Sequence, residues 1–331
     1  MAKKTKILIT GSNGFLGAHC CEHWLRKTDW EIYALDKLSY AASGFDRIRD
    51  INAFDDKRVR FFTYDLTRPF SEGLIKECQD VDYILHLAAE THVDNSITDA
   101  RPFVYANVVG TLNILEFARE CTNLKAFVYF STDEVFGPAP KGTNYKEWDR
   151  YNCTNPYSAT KAGAEELCLS YMNTYGVPGF ITHTMNLFGE RQHPEKFIPL
   201  CIRKILAGES ITIHGSADKK KSGSRFYIHA RNVADIVHFL FENFEQRDKY
   251  NIVGEKELTN LQLAQMIADI LGKPLNYEIV DFHSSRPGHD LRYALDGTKL
   301  KEMGYDIPVT IDKSLKKTVE WTLKHDKWLY I

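Results

Sequence analysis

A glycine-spaced turn close to the start of the chain constrains the fold more than any other feature. Lys6–Thr10 (KILIT) is a short apolar run with strand character, and Gly11-Ser12-Asn13-Gly14-Phe15-Leu16-Gly17 follows it directly. Gly14–Lys27 then carries helical spacing. In that order, strand, tight glycine turn and helix let the backbone approach a pyrophosphate, with the helix presenting free N–H groups and its positive dipole end. The spacing is GxxGxxG rather than GxGxxG, so its position between strand and helix carries the inference. The competing reading is a turn that is glycine-rich for purely structural reasons.

Further strands are read at Glu31–Leu35, Val59–Tyr64, Val81–Leu87 and Ala126–Ser131. Between the last two, Val108, Leu112, Leu115 and Ala118 recur at helical spacing, which predicts a helix over Asn107–Cys121. Tyr157–Tyr175 reads as another amphipathic helix and Gly179–Asn186 as another strand. Near-continuous apolar strands alternating with helices predict an α/β fold built on a doubly wound parallel sheet. After Asn186, Pro194, Pro199, Gly208, Gly215 and Gly223 cut the chain into shorter pieces. The expected division is therefore residues 1–186 and a smaller lobe, 187–331, with some segments returning to the first lobe and a cleft in one compact body.

Composition excludes other classes. Forty-two basic against 44 acidic residues give a net charge of -2, which argues against a nucleic-acid partner. No apolar run approaches the roughly 18 residues of a membrane span, and no signal peptide is legible. Seven cysteines without a CxxC pair predict reduced thiols in a cytoplasmic protein, with no metal site.

Asp36, nineteen residues beyond Gly17 at the end of the second strand, is placed to accept both ribose hydroxyls of NAD and to repel a 2′-phosphate. Lys37 beside it is the one feature that would tolerate NADP. Asp65 and Leu66 follow the third strand, facing an adenine, and Leu87, Ala88 and Ala89 end the fourth, where small side chains let a backbone pass close to a cofactor. For each the competing reading is ordinary packing at a strand end.

Tyr157 and Lys161 stand four apart on one helical face. A phenol near pKa 10 is a poor base, but an adjacent ammonium and an oxidised nicotinamide both favour the phenolate. A drop of roughly three units needs about 4 kcal/mol. At the end of the fifth strand, Thr132-Asp133-Glu134 places two carboxylates at the ligand-facing edge of the sheet. Like charges there push one pKa up, so that one group holds a proton to donate while the other stays a base. An acidic turn bonded to backbone is the alternative.

Together these features resemble the extended short-chain dehydrogenase/reductase family over essentially the whole chain, and within it the dTDP-glucose 4,6-dehydratase group. Thr132-Asp133-Glu134 discriminates, since sugar-nucleotide 4-epimerases and xylose-forming decarboxylases usually lack the middle Asp. Ala88-Ala89-Glu90-Thr91-His92-Val93-Asp94, Asn107-Val108-Val109-Gly110-Thr111, Pro194-Glu195-Lys196 and Arg286-Pro287-Gly288-His289-Asp290 also match.

The resemblance implies a Rossmann-type fold, NAD as cofactor and a nucleotide-diphosphate sugar as substrate. It implies that Tyr157 takes the O4 proton with Thr132 on the same oxygen, that Glu134 removes the C5 proton, and that Asp133 protonates the departing C6 hydroxyl. It adds Leu38, Ser39 and Thr91 to Gly11, Asn13, Gly14, Phe15, Leu16 and Gly17 around the cofactor. The substrate set is Thr91, Thr132, Asn186, Lys196, Phe197, Thr212, Ile213, His214, Arg225, Asn251, Arg286 and His289. Arg225 and Arg286 are the diphosphate contacts, because a guanidinium fork matches phosphate oxygens. A homodimer through a four-helix bundle, made by the helices at Asn107–Cys121 and Tyr157–Tyr175, is also implied. The chain departs from the group at Lys219-Lys220-Lys221, in a longer loop, and at Ala106, Phe136, Leu187 and Phe226-Tyr227, which leaves dTDP, UDP or another base open as the nucleotide. The rival readings are a 4-epimerase or decarboxylase, which need no acid at C6, and a non-catalytic cofactor-binding protein.

Overall fold

A computed structural model describes residues 4–281 and 291–331. Among the described residues twelve strands run in chain order: β1 Lys6–Thr10, β2 Glu31–Asp36, β3 Val59–Thr63, β4 Tyr83–His86, β5 Ala126–Thr132, β6 Gly179–Thr184, β7 Asn186–Phe188, β8 Ile211–Gly215, β9 Ser224–His229, β10 Lys249–Ile252, β11 Glu257–Thr259 and β12 Tyr277–Asp281. Seven form one sheet in the order β10-β6-β5-β4-β1-β2-β3, the doubly wound order with its switch point between β1 and β4. β1 pairs in parallel with both β2 and β4, and Thr10 lies opposite His86.

Ile7, Leu8 and Ile9 are all fully buried, as a parallel sheet covered on both faces requires. On one face Leu8, Ile84, Phe127 and Ile181 pack with Leu115 and Phe117 of the helix Gly110–Glu120 and Cys168 and Met172 of the helix Pro156–Thr174. Elsewhere in the same unit Trp24, Trp30, Tyr83 and Phe241 stack, with Tyr83 and Phe241 centroids 4.3 Å apart.

The chain divides into two compact units. One comprises Met1–Val135, Asn155–His183 and Ala234–Tyr250, the other Phe136–Thr154, Thr184–Val233 and Asn251–Ile331. Both carry segments from either side of residue 186. The second unit holds a three-stranded sheet, β11-β9-β7, and a two-stranded sheet, β12-β8. Its core joins Ile202, Ile213, Leu263, Ile267, Leu315 and Val319.

Two local expectations are corrected. The α-helix expected from Asn107 begins at Gly110, and Val104–Val109 winds wider, with i→i+5 geometry. Such turns are rare and concentrate at functional sites; this one carries Asn107 into the interior. The strand expected to run through Asn186 stops at Thr184, and Asn186–Phe188 pairs in parallel with β9 instead. Among the described residues no helix is long and apolar enough to cross a membrane.

Candidate active site

The glycine turn is built by exclusion. Gly11 has φ +68°, and a Cβ on it would lie 2.9 Å from the Ala88 backbone. A Cβ on Gly17 would lie 2.1 Å from the Gly11 carbonyl oxygen. The helix Phe15–Lys27 is therefore pressed against the turn, with Gly14 at its cap, no side chain capping it and no acid in its first turn. The helix N-terminus therefore faces the turn with no side chain or acid competing for its N–H groups, an arrangement that suits an anion.

Asp36 is 8% exposed; its carboxylate accepts from the backbone N–H of Asn13 at 3.0 Å and of Leu38 at 2.7 Å. Burial pushes its pKa up, and the two amides partly oppose this. Lys37 pairs with Glu90 at 2.7 Å. Leu66 is buried, its carbonyl accepting from Asn113, while Asp65 accepts from the Thr67 N–H and Thr91 is exposed. Ser39 precedes the turn Tyr40–Ala42 and makes no side-chain capping bond to it.

Arg47, which the sequence did not single out, is buried at 1% exposure. Its guanidinium donates to the carbonyls of Ala41, Ala42 and Asn13, fastening the loop after β2 to the glycine turn. Nothing local distinguishes it from Arg49 in the same short helix, Asp46–Asp50.

A buried chain of hydrogen bonds crosses the unit behind the turn. Thr111 Oγ1 donates to the Asn107 carbonyl, so it accepts from His86 Nε2 at 3.0 Å. His86 Nδ1 in turn accepts from Thr10 Oγ1 at 2.7 Å, and Thr10 accepts from the Ala88 N–H. The Asn107 side chain grips both backbone groups of Glu90 and donates to Thr160, which donates to the Tyr157 carbonyl.

Burial, with Lys161 adding to it, drops the His86 pKa to about 3, so the ring is neutral in the fold. The unfolded chain binds a proton near pH 6.5 that the folded chain refuses until about pH 3. Stability is therefore complete above pH 6.5 and declines below it, by up to about 1.4 kcal/mol per pH unit. His23, lowered to about 4 chiefly by burial, acts in the same direction. Urea unfolding at pH 7, 6, 5 and 4.5 is expected to give a shallower decline by about one proton for His86→Asn, which starts less stable at pH 7. An unchanged slope would contradict a neutral buried His86.

The residues proposed for chemistry gather at the end of β5. Thr132 Oγ1 donates to Asp133 Oδ1 at 3.0 Å and accepts the Glu134 N–H at 3.3 Å. Asn155 Nδ2 donates to Glu134 Oε2 at 3.0 Å. Asn155 also caps the helix Pro156–Thr174 with a capping box, with Pro156 in its first turn. That helix carries Tyr157 and Lys161, 8% and 5% exposed. Tyr157 packs edge-on against Phe103, and its N–H donates to Ser96.

The expected lowering of the Tyr157 pKa is not supplied by the protein alone. Burial pushes the phenol well above its usual value, the Glu134 and Asp133 carboxylates add to this, and a hydrogen bond with Thr132 opposes it. The Lys161 ammonium donates to the Phe130 carbonyl and lies 4.3 Å from the Tyr129 ring centroid. Burial lowers its own pKa to about 8.

In the second unit the expected substrate residues fall into two sets. Asn186 is exposed on β7, Lys196 precedes the helix Phe197–Ala207 without a side-chain capping bond, and Phe197 and His214 are half-buried. Ile213 belongs to the core, Thr212 donates to Glu278, and Asn251 is fully buried, donating to the Tyr145 and Asp296 carbonyls. The Arg225 guanidinium donates to the Ser224 and Leu291 carbonyls and lies 4.5 Å from the Tyr293 ring centroid. Arg286 and His289 lie outside the described residues. Lys219, Lys220 and Lys221 are exposed in a turn closed by the Ser216 N–H on the Lys221 carbonyl.

A doubly wound sheet, a glycine turn pressed against a helix N-terminus and a buried tyrosine–lysine helix beside paired carboxylates are the marks of a dinucleotide-dependent α/β enzyme. Residues 7–253 match the NAD dependent epimerase/dehydratase family, and the chain belongs to it. It is 34% identical to the dTDP-glucose 4,6-dehydratase of Salmonella typhimurium, over 98% of this chain and 94% of that one. It is 33% identical to a trifunctional UDP-glucose 4,6-dehydratase/UDP-4-keto-6-deoxy-D-glucose 3,5-epimerase/UDP-4-keto-L-rhamnose-reductase of Arabidopsis thaliana, over 98% of this chain and 48% of that one. Among solved structures, a dTDP-glucose 4,6-dehydratase from Streptomyces venezuelae with NAD bound matches at a TM-score of 0.87 and 32% identity, covering 98% of this chain and 99% of that one.

Proposed function

We propose that the chain is an NAD-dependent nucleotide-sugar 4,6-dehydratase, a hydro-lyase converting an NDP-glucose, carried on dTDP or UDP, to NDP-4-keto-6-deoxyglucose and water. The observation that carries this reading is the tandem Asp133-Glu134 joined through Thr132 to Tyr157. An epimerase needs only the Tyr157 end of that array.

The cradle from Gly11 to Gly17 fits the NAD diphosphate, Asp36 its ribose, and Asp65 and Leu66 its adenine. Lys37, already paired with Glu90, is drawn away from rewarding a 2′-phosphate, which favours NAD over NADP. When bound, NAD supplies the hydride acceptor for C4, the donor for C6 and a positive charge that favours the Tyr157 phenolate.

Tyr157 accepts the proton of the sugar O4, and Thr132 orients that oxygen. The C4 ketone acidifies C5, and Glu134 removes its proton. Asp133, protonated beside a second carboxylate, donates to the C6 hydroxyl, so water leaves as the C5–C6 double bond forms. Glu134 returns its proton to C5 when C6 is reduced. In the second unit we assign substrate contact to Asn186 and Lys196. Ile213, Asn251 and the carbonyl-bound arm of Arg225 hold that unit together. We also propose a homodimer through the helices Gly110–Glu120 and Pro156–Thr174, near which Tyr105, Leu112 and Tyr175 are exposed.

Mass spectrometry of dTDP-glucose and UDP-glucose, each incubated with the protein and catalytic NAD, is expected to give a product lighter by one water and to identify the preferred nucleotide. A new chromatographic peak of unchanged mass would establish an epimerase instead. Glu134→Gln is expected to lose exchange of the C5 hydrogen with solvent; exchange at the wild-type rate would remove Glu134 from its role.

A further inference from the structure

Asn155 stands at the junction of two structures that the chemistry needs in register. Its Oδ1 accepts the N–H of Ser158 at 2.8 Å, and its Nδ2 donates to Glu134 Oε2 at 3.0 Å. One amide thus caps the helix that carries Tyr157 and grips a carboxylate 21 residues earlier. The two bonds also settle which end of the amide is oxygen, since only a nitrogen can donate to a carboxylate. Asn155 is buried at 6% exposure; its bond to the Ser158 N–H is buried and its bond to the half-buried Glu134 is partly so.

We infer that Asn155 is a positioning residue that holds Glu134 ionised and oriented as the base for C5, coupling that carboxylate to the helix bearing Tyr157. The base role rests on the function proposed above; the Asn155–Glu134 coupling rests on geometry alone. A donor on a carboxylate favours its charged form. Among the titratable groups around Glu134 are Asp133, next to it on the same turn, and the Tyr157 phenol on the helix, which stays neutral where a carboxylate titrates. Beside them the neutral amide of Asn155 donates to the Glu134 carboxylate and adds no charge of its own.

The cap and the grip are separable by substitution. Serine and aspartate both cap helices as well as asparagine does. In Asn155→Ser the shorter side chain keeps the bond to the Ser158 N–H but cannot reach Glu134. In Asn155→Asp the cap persists and a like charge replaces the donor. Protein labelled with 13C at the glutamate carboxyl carbons, with Glu134 assigned by its disappearance in Glu134→Gln, reports the titration of this group directly and needs no substrate.

The Glu134 midpoint is expected to rise by about 0.5–1 pH unit in Asn155→Ser and further in Asn155→Asp, with melting temperatures close to wild type. The acid limb of C5 hydrogen exchange is expected to move in the same direction. A Glu134 midpoint unchanged in both variants would overturn the inference, whatever the enzyme acts on. Shifted midpoints without exchange on any nucleotide sugar would support the coupling and overturn the proposed reaction, so the two failures are distinct.

Discussion

Tyr157→Phe is expected to lose at least about three orders of magnitude in kcat while keeping the fold and the affinity for NAD. Proton transfer by a positioned side chain is worth roughly 10²–10⁴-fold, and Thr132, bonded to the same hydroxyl, has no means of accepting the proton in its place. The ring itself is structural. It is buried against Phe103 and Val93, and phenylalanine preserves that packing. Loss of the hydrogen bond to Thr132 costs about 1 kcal/mol. Burial and two neighbouring carboxylates already hold the phenol neutral, so removing the hydroxyl abolishes no charge on which the fold depends. The measurement is kcat beside a thermal melt and an NAD titration. Activity above a tenth of wild type would displace Tyr157 from the proposed role, and lost NAD binding would make it a structural residue instead.

Gly17→Ala is expected to destabilise the protein by about 3 kcal/mol or more and to weaken NAD binding at least tenfold. Helix propensity alone points the other way, since alanine is better than glycine in a helix by about 1 kcal/mol. Contact decides the outcome. The new Cβ would meet the Gly11 oxygen at 2.1 Å and the Ser12 Cα and oxygen at 2.8 Å, all backbone atoms, so no flexible side chain can yield. The helix would have to lift from the turn and carry its N–H groups away from the diphosphate cradle. Gly73→Ala is the control. Gly73 lies in the helix Glu72–Cys78, where a Cβ meets nothing within 4 Å, and a gain of about 0.5–1 kcal/mol is expected. Urea unfolding of both variants separates the two effects. A Gly17→Ala protein as stable as wild type would show that the turn can relax where its contacts say it cannot.

What the sequence determined by itself was local. The glycine turn was legible because positive φ and close backbone approach act on the residues that carry them. Asp36 was legible because it ends a strand whose apolar run counts out its length, and Tyr157 and Lys161 because four residues make one helical turn. Thr132, Asp133 and Glu134 are contiguous, so their proximity needed no folding argument. The strands appeared because buried parallel strands are continuously apolar.

Tertiary structure decided whatever joins distant segments. Thr10 bonds His86 because β1 and β4 are neighbours across the switch point of the sheet. Arg47 reaches Asn13 only once the loop after β2 has folded back. Asn107 enters the interior on a turn that no 3.6-residue period announces. Lys161 meets the Phe130 carbonyl, and Asn155 the Glu134 carboxylate, where the helix and β5 lie side by side. Such pairings follow from strand order and helix docking, which are fixed by the summed burial of many apolar side chains. A single residue's type therefore marks what chemistry it can do, and packing chooses the partner with which it does it.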